Sequence, residues 1–200
     1  AYDLRPNVIG VFNDYGMTLE KILKNHKLKD CSTTNVYIHS INNNVSFRKI
    51  NKSDKRILFN WFNDEQTRKN SFVNKRVSYQ EHSKWFNNNI TNKFFLGYMF
   101  YFKNVKAGFV RFTIYNDDAT IGINLNPKFR GKKLSKIFLV QSTNDLFKRS
   151  SINNIIAHIK SDNIPSIKSF EGAGFIKLIS SSSKTNDSRK FILRKNYAKK

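Results

Sequence analysis

Hydrophobic and polar positions along the chain fall into two regimes that meet near residue 45. Before it, Asp14-Tyr15-Gly16 is a turn signal, and Met17–Leu28 carries helical spacing through Leu19, Ile22 and Leu23. Residues 29–44 are polar and irregular, ending in Asn42-Asn43-Asn44. Residues 1–30 read as the tail of an upstream element and 31–44 as a linker. From Val45 the pattern becomes regular. Val45–Ile50 alternates as a strand. Ser53 or Asp54 then caps a helix through Trp61-Phe62. Ser78 with Glu81 three residues on forms a capping box, and the helix it opens runs to about Ile90 with Trp85 and Phe86 inward. Phe94–Phe102, Ala107–Tyr115 and Ala119–Leu125 are strands separated by Lys103-Asn104 and Asn116-Asp117-Asp118, the spacing of an antiparallel meander. A loop over 126–131 precedes a helix, Leu134–Lys148, and a buried strand, Ile155–Ile159. A short helix, Ile164–Gly172, and a closing strand pair, Phe175–Ser180 with Lys190–Arg194, complete an α/β sandwich on a mixed sheet.

Composition sharpens this picture. Apolar residues make up 39% of the 200 positions, enough for a packed core. No run of 18 apolar residues predicts a membrane span, and the N-terminus lacks a signal-peptide pattern. The start at Ala1 reads as processing or as a piece of a longer chain. The single cysteine, Cys31, neither staples a domain nor builds a zinc site, and it points to a reducing, cytoplasmic setting. No Cys/His cluster supports a metal. The net charge of +22 invites a nucleic-acid partner, but Lys and Arg are spread over the whole chain. A basic surface equally steers a small anion.

Two stretches carry candidate chemistry. In Ile121-Gly122-Ile123-Asn124-Leu125-Asn126-Pro127-Lys128-Phe129-Arg130-Gly131-Lys132-Lys133-Leu134-Ser135, a strand runs into a basic loop that opens a helix. Unpaired N–H groups and the positive helix end then converge, as a diphosphate cradle requires. The plain alternative is a solvated basic turn. The second stretch is Asn163-Ile164-Pro165-Ser166 through Phe170 to Gly174-Phe175. On its own it is a short helix capped by Asn163, with Pro165 in the first turn and Gly174 after the end.

In this order and at this distance, the two stretches resemble the cofactor motifs of GNAT acetyltransferases. The resemblance covers roughly residues 45–195. It implies a GNAT-type mixed, mostly antiparallel central sheet flanked by helices, in an acetyltransferase domain spanning 45–200. It also implies acetyl-CoA as co-substrate. The strand end at Asn124, Leu125 and Asn126 would pair with the pantetheine arm. The backbone of Arg130, Gly131, Lys132, Lys133, Leu134 and Ser135 would surround the diphosphate, with Asn163, Ser166 and Phe170 near the cofactor. Two positions depart from the family pattern. Lys133 stands where a central glycine is usual, and Phe170 where a tyrosine often serves as acid.

Trp61-Phe62-Asn63, with Ser78-Tyr79-Gln80-Glu81-His82 and Trp85-Phe86, is similar to acetyltransferases of the pseudaminic-acid pathway. These act on the 4-amino group of a UDP-linked amino-deoxy sugar and can be fused behind a UDP-sugar hydrolase. The likeness implies substrate contacts at Trp61, Asn63 and Glu81, and a UDP-amino sugar as the small-molecule partner. His82, just past the helix cap, is the candidate catalytic base; its bland reading is a helix-face histidine. Acetylation of a protein N-terminus or ribosomal protein is the second enzymatic expectation. A nucleic-acid-binding module on a degenerate acetyltransferase scaffold is the expectation from another class. Homodimerisation is a further candidate association.

Overall fold

A computed structural model describes residues 44–178 and 188–195. The expectations for the upstream tail and linker, with Cys31, His26 and His39, fall on residues outside this set. One seven-stranded sheet organises the described residues, in the order β1-β2-β3-β4-β5-β7-β6. Its strands are β1 (Val45–Lys49), β2 (Phe95–Phe102), β3 (Val105–Tyr115), β4 (Asp118–Leu125), β5 (Asn154–Lys160), β6 (Ile176–Lys177) and β7 (Ser188–Arg194). All pairings are antiparallel except β4 with β5. The helices are α1 (Lys55–Phe62), α2 (Glu65–Lys69), α3 (Tyr79–Ile90), α4 (Leu134–Arg149) and α5 (Ile164–Gly172). The expected mixed, mostly antiparallel sheet with flanking helices is the architecture observed.

Alternation along the strands supplies two apolar faces. On one, Leu58 and Trp61 of α1 and Phe86 of α3 pack with Met99 and Phe109 of the sheet. On the other, Phe138 of α4 stacks on Phe100 at 4.4 Å between ring centroids. Gly108 makes that stack possible, because a Cβ there would lie 2.6 Å from the Phe138 ring. Each such aromatic contributes roughly 1.5–3 kcal/mol through burial.

The helix starts are set locally. The Ser78/Glu81 capping box forms, with Glu81 N donating to Ser78 Oγ at 3.2 Å and Ser78 N to Glu81 Oε2 at 2.8 Å. The expected cap at Ser53 or Asp54 is corrected. Asn51 caps a short 3-10 turn, Lys52–Asp54, that leads into α1. Asp54 instead lies fully buried, accepting from Arg48 at 2.7 and 2.9 Å, Lys106 Nζ at 2.8 Å and Asn51 N at 2.9 Å. Burial raises its pKa, but these donors outweigh that effect and hold it below the usual carboxylate range. Helix α2 was not anticipated. Its five residues carry no apolar period, and only Asp64, which accepts from Thr67 N at 3.1 Å, marks its start. The final strand pair is shorter on one side than expected: β6 is Ile176–Lys177, and residues 179–187 lie outside the described set.

Among the described residues, no helix is long and apolar enough to cross a membrane. No group of three or more His, Cys, Asp or Glu side chains there is arranged to hold a metal ion.

Candidate active site

The sheet opens between β4 and β5. Their parallel pairing covers only Asp118↔Asn154 to Thr120↔Ile156, while β4 continues to pair with β3 as far as Leu125. Beyond Thr120, the β5-facing edge of β4 therefore has no ladder partner among the described residues. A cleft of about 1090 Å³ fills this opening. Thr120, Gly122 and Asn124 line it from β4, and His158 and Lys160 from β5. Arg111 and Phe109 of β3, α2 and the loop after it, Gly131, Ser135 and α5 complete the wall.

At one end of the cleft stands the start of α4. Gly131 takes φ +76° and Lys133 φ +57°, so two residues in left-handed backbone turn the chain into the helix. Lys133 occupies the cap position and makes no side-chain cap bond, so the first helical N–H groups have no capping side chain. The backbone at 133 thus has the conformation that glycine favours, and lysine holds it at a cost of about 1 kcal/mol. Asn163 caps α5 through a 3.3 Å bond from Ser166 N. Phe170 is buried against Phe175, with 4.9 Å between centroids and rings at 77°, and offers no proton.

The cleft brings together Asn124, Leu125, Arg130, Gly131, Ser135, Asn163, Ser166 and Phe170. The other cofactor-side candidates lie off its wall. Asn126 donates to Lys106 O at 2.8 Å and caps the Pro127–Phe129 turn. Lys132 sits over the Phe129 ring at 5.0 Å, and Leu134 is fully buried in the core. Lys133 is exposed. Arg130, though on the wall, is held by Asp64 at 2.5 Å and Thr67 Oγ1 at 2.9 Å. Burial raises the Asp64 pKa; the bonds from Arg130 and Thr67 N prevail and lower it.

The substrate-side expectations need correction. His82 does not line the cleft. It is 3% exposed, ringed by Phe59, Phe62, Trp85 and Phe86, and its Nε2 lies 3.0 Å from Lys55 O. Because that carbonyl only accepts, Nε2 carries the proton. Burial lowers the imidazole pKa, and the bond to Lys55 O offsets this only in part. His82 therefore ties α3 to α1 and stands off the cleft wall. Trp61 belongs to the core. Asn63 clasps Val77 with bonds of 2.8 and 2.9 Å, bracing the loop before α3. Trp61 and Asn63 border a separate cavity of about 520 Å³. Glu81 is spent on the helix cap.

Three cleft residues were not singled out from the sequence as site residues: Arg68, Arg111 and His158. Arg111 crosses Gly122, where an added Cβ would lie 3.0 Å from its Nε. Its guanidinium sits over Phe62 and Trp85, at 5.9 and 5.6 Å from the ring centroids. Arg68 reaches Ser71 Oγ at 3.1 Å and Lys75 O at 3.2 Å, while its buried Nε has no partner among the described residues. Asn124 is 8% exposed; its Oδ1 accepts from Thr67 Oγ1 at 3.2 Å, and its buried Nδ2 has no partner among the described residues. His158, within strand β5, is exposed on the cleft wall.

Comparison with known proteins agrees with this geometry. A family profile described as an acetyltransferase (GNAT) domain matches residues 44–176. No curated protein sequence shows significant similarity to the chain. Among solved structures, spermidine N-acetyltransferase from Vibrio cholerae, in complex with CoA and spermine, superposes with a TM-score of 0.69 at 16% identity. That match covers 78% of this chain and 98% of the other. A dodecameric structure of the same enzyme in an intermediate state matches with a TM-score of 0.63 at 16% identity, covering 77% and 95%. The aminoglycoside acetyltransferase AAC(6')-Ib in complex with coenzyme A matches with a TM-score of 0.66 at 14% identity, covering 76% and 96%.

Proposed function

This chain belongs to the GNAT acetyltransferase family and uses acetyl-CoA as co-substrate, and on that premise we propose that it acetylates a primary amine presented at the β4–β5 opening. The observation that carries this reading is the convergence on one cleft of three features left open among the described residues. These are the free edge of β4 after Thr120, the N-terminus of α4 without a capping side chain, and the unpartnered Nδ2 of Asn124. The helix start suits the diphosphate of the co-substrate. The free strand edge suits the amides of its pantetheine arm.

The acceptor's neutral nitrogen forms the new C–N bond to the acetyl carbon as the C–S bond breaks. The amine proton departs, and the thiolate becomes a thiol. Holding both partners in one cleft supplies the proximity such a step needs. His158 is the histidine on the cleft wall, and on this reading it takes the amine proton in place of His82. Phe170 cannot protonate the leaving sulfur, so solvent does. A UDP-linked amino sugar, in the reducing cytoplasm, is the acceptor that the sequence likeness over Trp61–Phe86 suggests, although the residues that carry the likeness lie off the cleft wall. The spermidine and aminoglycoside enzymes of the same fold bring a polyamine and an aminoglycoside into the comparison.

Ser135→Asp tests the site. An acid in the first turn of α4 favours the helix but opposes a diphosphate. Acetyl-CoA binding followed by calorimetry should weaken at least tenfold while the unfolding midpoint holds. Unchanged affinity in the folded variant removes the assignment. In the same preparation, His158→Gln should lower kcat about 10²–10⁴-fold if the imidazole is the base.

A further inference from the structure

Among the described residues, the cleft is lined by Arg68, Arg111, Arg130 and Lys160, and by no Asp or Glu. Arg130 is neutralised by Asp64, and Lys160 Nζ is held by Lys69 O at 2.9 Å and Asn74 Oδ1 at 3.1 Å. Arg68 and Arg111 differ. Among the described residues, neither pairs with a carboxylate. The Arg111 guanidinium lies over the faces of Phe62 and Trp85 and forms no ion pair among the described residues. Both guanidinium groups line the same cleft. Burial lowers the Arg111 pKa first, and the charge of Arg68 lowers it further. Charges withdrawn from water without a partner are costly, and folded proteins rarely keep them without a use.

Their position gives that use. Arg111 is the register partner of Gly122, two residues past the last β4–β5 rung, where His158 flanks the opening from β5. The absent side chain at Gly122 leaves room for the guanidinium to reach across β4. Phe109, two residues before Arg111, packs in the cluster of α1 and α3, whereas Gly108 faces Phe138 of α4. Arg111 thus stands on the α1–α3 side of the sheet, away from the body of α4. Asn124, more than nine-tenths buried on the same wall, adds a donor with no acceptor.

We infer that Arg68 and Arg111 bind an anionic group of the acceptor, so that the amine acetylated here belongs to a molecule that also carries a phosphate or a carboxylate. The inference rests on the acetyl-transfer reading of the cleft but not on the sugar. A planar guanidinium backed by aromatic faces presents paired N–H donors to such an oxyanion. A polycationic acceptor would meet Arg68 and Arg111, with no carboxylate beside them among the described residues.

The test uses the full chain, with thiol release read for four acceptors: a UDP-linked 4-amino sugar, an amino acid amine with its free carboxylate, an uncharged amino sugar, and spermidine. The anionic acceptors should exceed the last two by roughly 10²-fold in kcat/KM, and which of the two wins identifies phosphate or carboxylate. Arg111→Met should reduce the preferred anionic acceptor to the level of the uncharged one. It should leave the KM for acetyl-CoA and the unfolding midpoint in place, and Arg111→Lys should restore part of the loss. A raised KM for acetyl-CoA alone would assign the pair to the phosphates of the co-substrate and overturn the inference. So would spermidine as the best acceptor, or a uniform loss on all acceptors with a lowered midpoint. If wild-type chain fails to bind acetyl-CoA by calorimetry, the acetyl-transfer reading itself fails. Titration of UDP and of free amino acid into wild type and Arg111→Met then still reads the anion site directly, and equal affinity in both would overturn it.

Discussion

Arg48 and Lys106 share one carboxylate, whereas Arg68 and Arg111 share none. Both pairs are partly withdrawn from water, and both involve a strand of the same sheet. Around Asp54, two cations and a backbone N–H satisfy one buried acid, and the cluster joins β1 and β3 to the turn before α1. Within the cleft, the same residue chemistry is left without an acid. A satisfied buried charge is part of the architecture. An unsatisfied one at a cleft wall waits for a ligand.

The largest expected break in this comparison is Asp54→Ala. It leaves Arg48 and Lys106 facing each other without their acid, and should cost about 3 kcal/mol. That is the lower end for a broken buried pair, because both cations keep partial contact with water. Chemical denaturation measures it. A loss below about 1 kcal/mol would mean the cluster is no more structural than the cleft pair. The matching truncation, Arg111→Met, should stay within about 1 kcal/mol of wild type, since lost ring contacts oppose relief from desolvation.

Lys133→Gly sharpens the contrast at the helix start. Relieving the left-handed lysine should raise stability by about 1 kcal/mol, less the backbone entropy that glycine adds to the unfolded chain. A thermal melt reads this directly. A drop in midpoint would show that the lysine side chain itself holds the turn.

The smallest effect is a pH slope. His82 and Asp54 both have folded pKa values below their unfolded ones. In each case the unfolded state binds more protons as pH falls, so stability declines. The His82 contribution is present above the unfolded imidazole value of about 6.5 and fades as pH drops toward the folded value. The Asp54 contribution is present above about 3.9 and is lost below it. Stability followed from pH 8 to 3 should therefore fall in two stages, and His82→Leu should erase the first while leaving the pH–rate profile unaltered. A changed profile in that variant would return His82 to the chemistry.

Most of the fold was legible before the structure because its signals are local. Alternation marked the strand from Val45, turn residues between apolar runs marked the strands from Phe94 to Leu125, and the Ser78/Glu81 box marked the start of α3 within one turn. The capping reading of Asn163 is likewise a contact across three residues. Helix α2 escaped because five polar residues carry no period, and Asp54 was misplaced because its partners are Arg48 and Lys106, the latter 52 positions away. The site follows the same division. Loop and helix-start residues such as Gly131 and Ser135 were visible as a strand-to-helix junction. Tertiary structure alone decided that His82 faces inward to Lys55, that Arg130 is claimed by Asp64 across 66 positions, and that Arg111 has no acid beside it. Backbone propensity and capping act within a few residues, so one chain of letters states them. Whether a charge is paired depends on which distant side chains packing brings to it, and only the folded sheet, with its opening between β4 and β5, determined that here.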